Sequence, residues 1–157
     1  MARTPLWISR RISMARLLVC AVLVMSGLAI STSPAQAASN RLPNGNKLIA
    51  GSCITDSGSN GSAKFCVGKN YNLNLYHNGN ICWSWQANTH LSGPDAFVKV
   101  APNGDVKFWQ YAGGPMLWDS GTTMFSGADL VVGAASYGKA ILAVDTGTAF
   151  FIFKLCS

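Results

Sequence analysis

Between Gly68 and Trp83 the chain reads GKNYNLNLYHNGNICW. Asn72, Asn74 and Tyr76 alternate there with Leu73 and Leu75. Strand side chains alternate between two faces, so this stretch sets two carboxamides and a phenol on one face and two leucines on the other. Carboxamides donate and accept hydrogen bonds, and the phenol adds a hydroxyl on an apolar ring. Such a row binds; it carries no nucleophile or base. Asn78-Gly79 then supplies a hairpin turn, because both residues tolerate φ > 0. Trp83 follows. Ala101 to Trp118, APNGDVKFWQYAGGPMLW, repeats the arrangement, and Val144 to Ile152, VDTGTAFFI, is a worn third copy.

Catalysis finds little support. His77 and His90 are the only side chains that titrate near neutrality, and neither lies in a nucleophile elbow or a zinc-binding spacing. The chain has no Glu, and its six Asp are scattered through turns. The expectation is a binding module, not an enzyme, with no metal and no cofactor.

The elements that hold these residues belong to one exported domain. The chain has 157 residues, which favours one domain. Arg10, Arg11 and Arg16 precede the apolar run Leu17 to Ile30, which is shorter than the roughly 18 residues of a membrane span. Ala35-Gln36-Ala37 is a small-x-small cleavage site, so residues 1–37 read as a secretory signal peptide and residues 38–157 as the mature, extracellular domain. Met14 is an alternative start. Ser9-Arg10-Arg11 faintly resembles a twin-arginine signal, but an ordinary signal with a long basic region is favoured. Removing residues 1–37 takes four basic residues and leaves eight against six acidic ones, net +2. No basic cluster remains, so no nucleic acid partner is expected. Leu18-Val19-Cys20 lacks the small residue that precedes a lipoprotein cysteine, so no membrane anchor is expected either.

Four cysteines remain: Cys53, Cys66, Cys82 and Cys156. An even number in an exported chain argues for disulfides, with three possible pairings. A hairpin between KLIAGSCI (Lys47–Ile54) and the strand starting at Lys64 would bring Cys53 opposite Cys66 and leave Cys82 for Cys156. Ser39 to Asn46 reads as an entry loop, and Thr55 to Ala63 as a turn of small polar residues. Ala96 to Val100 alternates and leads to the hairpin signal Asn103-Gly104. Asn88 to Asp95 and Asp119 to Gly127 read as loops. Leu130 to Ala135 and Lys139 to Val144 are short strands around Ser136-Tyr137-Gly138. Ala149 to Leu155, AFFIFKL, is expected to be buried on both faces. No stretch of the mature part shows sustained helical periodicity, so the class is all-β.

The repeat resembles a known family. The copies begin at Gly68, Ala101 and Val144, 33 and 43 residues apart. They look like the bulb-type, monocot mannose-binding lectin domain. Its hallmark is Q-x-D-x-N-x-V-x-Y three times, each copy followed by a Trp and N-T or G-T. The resemblance runs from about Leu42 to the end and includes Gly45, Leu48, Gly51, Ile54, Gly58 and Phe65 before the first motif. In the first copy Gly68 stands for Gln, Asn70 for Asp and Asn74 for Val; Asn72 and Tyr76 match; Trp83 and Asn88-Thr89 complete it. In the second, Ala101 replaces Gln, and Asn103 and Asp105 carry Asp and Asn in swapped order. Lys107 replaces Val and Trp109 replaces Tyr, with Trp118, Gly121 and Thr122 after. Val144, Thr146, Thr148, Phe150 and Ile152 fill the third without a match. A rival register would use Tyr76, Asn78, Asn80, Cys82 and Ser84, but it leaves no room for a hairpin before Trp85.

The resemblance implies a threefold β-prism (type II) of three antiparallel subdomains. It also implies a secreted non-catalytic carbohydrate-binding protein of weak or altered specificity. Mannose-type glycans would be the favoured partners, and homo-oligomerisation a further possibility. In the family, Asp and Asn hold the sugar's O2, Gln O3 and Tyr O4, while Val covers the ring. Carried over, Asn70, Asn72, Asn74 and Tyr76 form a first sugar site and Asn103, Asp105 and Trp109 a weaker second. Lys107 would project into the second pocket, and the third should be empty. The family's Trp residues pack inside the prism, which implies the same of Trp83, Trp85 and Trp118. A β-trefoil would favour Q-x-W triplets, which are absent. The alternative function is a secreted antagonistic, bacteriocin-like or inhibitor protein that uses the same fold to recognise a protein or cell-envelope component.

Overall fold

The computed structural model describes residues 39–87, 93–135 and 139–156. The proposed signal at 1–37, Asn88-Thr89, His90 and the turn at 136–138 lie outside the described residues. Twelve strands and no helix occur among those residues: β1 (Arg41–Leu42), β2 (Lys47–Ile49), β3 (Cys53–Gly58), β4 (Gly61–Val67), β5 (Asn72–His77), β6 (Asn80–Gln86), β7 (Phe97–Val100), β8 (Val106–Trp109), β9 (Met116–Asp119), β10 (Asp129–Ala135), β11 (Lys139–Asp145) and β12 (Phe150–Leu155). They form three four-stranded sheets: β3-β4-β5-β6, β2-β7-β8-β9 and β1-β10-β11-β12. All pairings are antiparallel. They carry the first, second and third repeats respectively.

Each sheet turns its alternate apolar residues to a common interior. Ile54, Phe65 and Leu75 come from the first sheet, Leu48 and Phe108 from the second, and Leu142 from the third; none is more than 1% exposed. Complete burial of such a side chain stabilises by about 1.5–3 kcal/mol. The sheets also meet through aromatic rings. Trp83 on β6 lies 6.0 Å from Trp118 on β9, which lies 6.4 Å from Phe153 on β12. Trp85 meets Phe108 edge-on at 5.8 Å. Offset and edge-on pairs of this kind add about 0.5–1.5 kcal/mol each beyond area burial. The tryptophans are partly buried against the core, the position expected from the resemblance.

Several local expectations are corrected. The entry loop contains β1, which pairs with β10. KLIAGSCI is two strands in different sheets, because the chain turns between Ala50 and Ser52 with Gly51 at φ 85°. The polar stretch after Thr55 continues β3 to Gly58; only Ser59 and Asn60 make the turn. The largest correction is β12, expected to be buried on both faces. Phe150, Phe151, Ile152 and Leu155 are 51%, 45%, 44% and 54% exposed. The reason is position: β12 is hydrogen-bonded to β11 alone, at the end of its sheet. In the other two sheets the strand after the repeat turn, β5 or β8, has a further strand beyond it, β6 or β9. Among the described residues nothing occupies that place beside β12.

Two disulfides join Cys53 to Cys66 and Cys82 to Cys156. The first lies directly across the β3–β4 ladder. The second ties β6 of the first sheet to the residue following β12 of the third.

Candidate functional site

The alternation of β5 sends Leu73 and Leu75 into the core and leaves Asn72 and Tyr76 half-buried on the outer face of the first sheet, with Asn74 between them as a buried polar floor, 8% exposed. Register builds a row across this face: Cys53, Cys66, Asn74 and Ser84 stand opposite one another in turn. The Ser84 hydroxyl donates to Asn74 Oδ1 at 2.8 Å, and Asn74 Nδ2 donates to the Tyr76 hydroxyl at 3.4 Å. Tyr76 thus keeps its own O–H to donate outward. Lys64 Nζ lies 4.7 Å from the centroid of the Tyr76 ring. Asn72 stands opposite Gln86 at the other end of the strand.

Asn70 lies elsewhere. It is exposed in the turn between β4 and β5, where Tyr71 takes φ 52°, so it is not part of the strand's outward row. Gly68 explains the other gap. A Cβ there would sit 1.7 Å from Asn72 Oδ1. The Asn72 carboxamide folds into the space that a side chain at position 68 would need.

The second repeat is arranged differently. Asn103 is exposed in the β7–β8 turn and accepts the Asp105 N–H at 3.3 Å. Asp105 is 4% exposed. Its Oδ1 accepts the Ser120 hydroxyl at 3.1 Å and the Thr122 N–H at 3.3 Å, and its Oδ2 faces Lys107 Nζ at 3.6 Å. Both carboxylate oxygens are therefore committed inside the protein. Gly104 is forced here, with φ 87° and the Phe125 carbonyl oxygen 2.1 Å from where a Cβ would be. Trp109 is half-buried on the outer face of β8, between Phe97 and Met116. The third repeat straddles the β11–β12 turn. Val144 is in the core, Thr146 and Thr148 bond each other in the turn at 3.1 Å, and Phe150 and Ile152 are exposed.

The seven carried-over residues thus fall into two groups on two sheets. Asn72, Asn74 and Tyr76 share one face; Asn70 sits beside it in a turn. Trp109 faces outward on the second sheet, away from the buried Asp105 and the turn residue Asn103. Sequence reading missed Lys64 and met Ser84 only in the rival register that it set aside. The alternation of NICWSWQ held the signal for Ser84, but its partner depends on the β5–β6 register. Asn78-Gly79 forms the turn that sets that register, with Asn78 at φ 48° and His77 opposite Asn80.

No protein-family profile and no curated protein sequence matches the chain. Solved structures do. The Japanese Marasmius oreades lectin superposes with TM-score 0.50 at 21% identity, over 73% of this chain and 89% of that one. A monomeric monocot mannose-binding lectin from Gastrodia elata gives 0.49 at 19%, over 76% and 97%. The mannose-specific snowdrop (Galanthus nivalis) agglutinin, solved with methyl-α-D-mannoside, gives 0.46 at 20%, over 66% and 88%. The three-sheet architecture and the Marasmius superposition decide the fold. It is the threefold β-prism of the bulb-type lectins. Within this lectin fold, the Asn72–Asn74–Tyr76 row is an outward strand face and β12 an open sheet edge.

Proposed function

We propose that this protein is a secreted, non-catalytic carbohydrate-binding protein that takes a neutral, mannose-type sugar on the outer face of β5. The observation that carries this reading is the linked row of Ser84, Asn74 and Tyr76, with Asn72 beside it, on a lectin fold. Carboxamides and hydroxyls in fixed positions satisfy sugar hydroxyls with little loss of side-chain freedom. Asn74 replaces an apolar floor with a polar one, and Gly68 contributes no side chain. The affinity for one mannose is therefore weak, roughly millimolar or about −4 kcal/mol. Useful avidity then comes from branched ligands or from several copies of the protein.

Homo-oligomerisation belongs to the same reading, and the exposed apolar β12 is the surface that supports it. The exposed β12 also favours a second reading, in which the fold recognises a protein or envelope component as an antagonist or inhibitor. A glycan array separates the two. Specific mannoside signals support the first; a silent array combined with growth inhibition of a target cell supports the second.

A further inference from the structure

The outer face of the second sheet differs in kind from that of the first. Register sets Lys47 opposite Lys99 and Lys99 opposite Lys107, with Asp119 ending the row. On the same face, Ile49, Phe97, Trp109 and Met116 make a parallel row. Adjacent strands lie about 4.8 Å apart, and residues two apart on one strand about 7 Å. A strip of lysine stems thus runs beside a strip of aromatic and apolar side chains, close enough for one ligand to touch both.

Like charges directly opposite one another weaken a sheet. Seven lysines occur in the chain, and three stand in this row. Lys107 is held by Asp105. Among the described residues, Lys47 and Lys99 have no carboxylate within 4.0 Å. Lys47 lies over the Phe97 ring, 4.2 Å from its centroid. Beside it opens a cleft of about 490 Å³ lined by Lys47, Ile49, Phe97 and Tyr111, with Pro94 and Asp95 also on its wall. Ile49, Tyr111 and Met116 are 54%, 48% and 43% exposed. Asp95 stands on the wall of the cleft beside Lys47 and Asp119 ends the row beyond Lys107, so Lys47 on the edge strand and Lys99 next to it are the two lysines of the row without an ion pair among the described residues.

We infer that this face is a separate site for an acidic saccharide, a sugar carrying a carboxylate or sulfate. The ring packs its apolar side on Trp109 or Tyr111, and the anionic group is held by Lys47 and Lys99. A neutral sugar lacks the charge that relieves the lysine row, and a bare inorganic anion lacks the ring that covers the aromatic strip. The site is on a different sheet from the Asn72–Asn74–Tyr76 row and does not depend on neutral sugar binding there.

The test is titration of the protein with an oligogalacturonate, dextran sulfate, neutral dextran and sodium sulfate. The two acidic polymers distinguish carboxylate from sulfate; binding of either one supports the site and identifies its acid. Neutral dextran and sodium sulfate should bind at least tenfold more weakly. Affinity should fall as salt is raised, because the contacts are at the surface. Replacing both Lys47→Gln and Lys99→Gln should weaken acidic saccharide binding about tenfold or more, the loss expected for charged hydrogen bonds. Lys47→Arg with Lys99→Arg should retain it. Trp109→Leu should weaken the acidic saccharide without changing the response to sodium sulfate. Asn72→Ala should leave acidic binding unchanged. Unaltered affinity in the double Gln variant, equal binding of sodium sulfate, or no binding of either acidic polymer overturns the inference.

Discussion

Asn72 and Asp105 show how two residues of similar shape in equivalent repeats take different work. Asn72 is half-buried on an outward strand face, with its carboxamide over Gly68. Asp105 is buried and bonded to Ser120, Thr122 and Lys107. Asp105→Ala should therefore act on stability. It leaves the Thr122 N–H short of an acceptor, at a cost of about 1–3 kcal/mol, while the Ser120 hydroxyl still has Thr122 Oγ1 at 2.6 Å. Urea denaturation should show the midpoint fall while the affinity for a branched mannoside stays constant. Asn72→Ala should do the reverse. If Asp105→Ala abolishes binding without loss of stability, the carboxylate faces the ligand and the second repeat is the sugar site. The sequence showed the alternation of NLNLY, hence the side of β5 on which Asn72, Asn74 and Tyr76 stand. It did not show that Asp105 turns inward, because the partners that draw it there, Ser120 and Thr122, follow in a separate segment.

At the scale of elements, the disulfides and the two ends of the third sheet carry the testable consequences. Cys53–Cys66 closes 13 residues in a hairpin already paired by β3 and β4, whereas Cys82–Cys156 closes 74 and joins two sheets. Chain entropy alone assigns about 3 kcal/mol to the first loop and about 4.5 to the second. Cys82→Ser should accordingly lower stability more than Cys66→Ser in chemical denaturation; the opposite order would show that loop length does not set the contribution of the two bridges. At the start of the β1-β10-β11-β12 sheet, Arg41 bonds Asp129 at 3.0 Å and Asp145 at 2.6 Å. The Gly147 N–H, then Arg41, holds the Asp145 carboxyl below its ordinary value of 3.8. A lowered folded-state value means stability that is present above pH about 4 and lost as pH falls through the folded-state value. The stability difference between the wild type and Arg41→Gln should be small, because the pair is partly exposed. It should be constant near pH 6 and shrink below pH 4; a difference that grows on acidification contradicts this sign. At the other end, β12 read as a buried strand because AFFIFKL is apolar throughout. Composition alone cannot distinguish a central strand from an uncovered edge. An apolar edge invites pairing with another chain. Ile152→Lys should reduce concentration-dependent self-association in sedimentation velocity; unchanged association would place the contact elsewhere.

At the scale of the molecule, one threefold scaffold carries three unlike faces. The first is neutral and hydrogen-bonding, the second basic and aromatic, and the third largely apolar along β12. The threefold fold was legible because the repeats recur with a Trp after the first two, and because apolar residues alternate within each strand. The faces were less legible, since each is assembled from strands distant in sequence. Lys47 meets Lys99 and Lys107 only once β2 is seen to pair with β7 rather than with β3. The central claim is that the β5 face holds a neutral mannose-type sugar. The direct measurement is a two-dimensional amide NMR titration of the protein with a branched mannoside. Shifts should concentrate on Asn72, Asn74, Tyr76 and Ser84, saturate at roughly millimolar ligand, and disappear in Asn72→Ala. Shifts that map instead to Val144–Ile152, or no shift at saturating mannoside, would contradict the account.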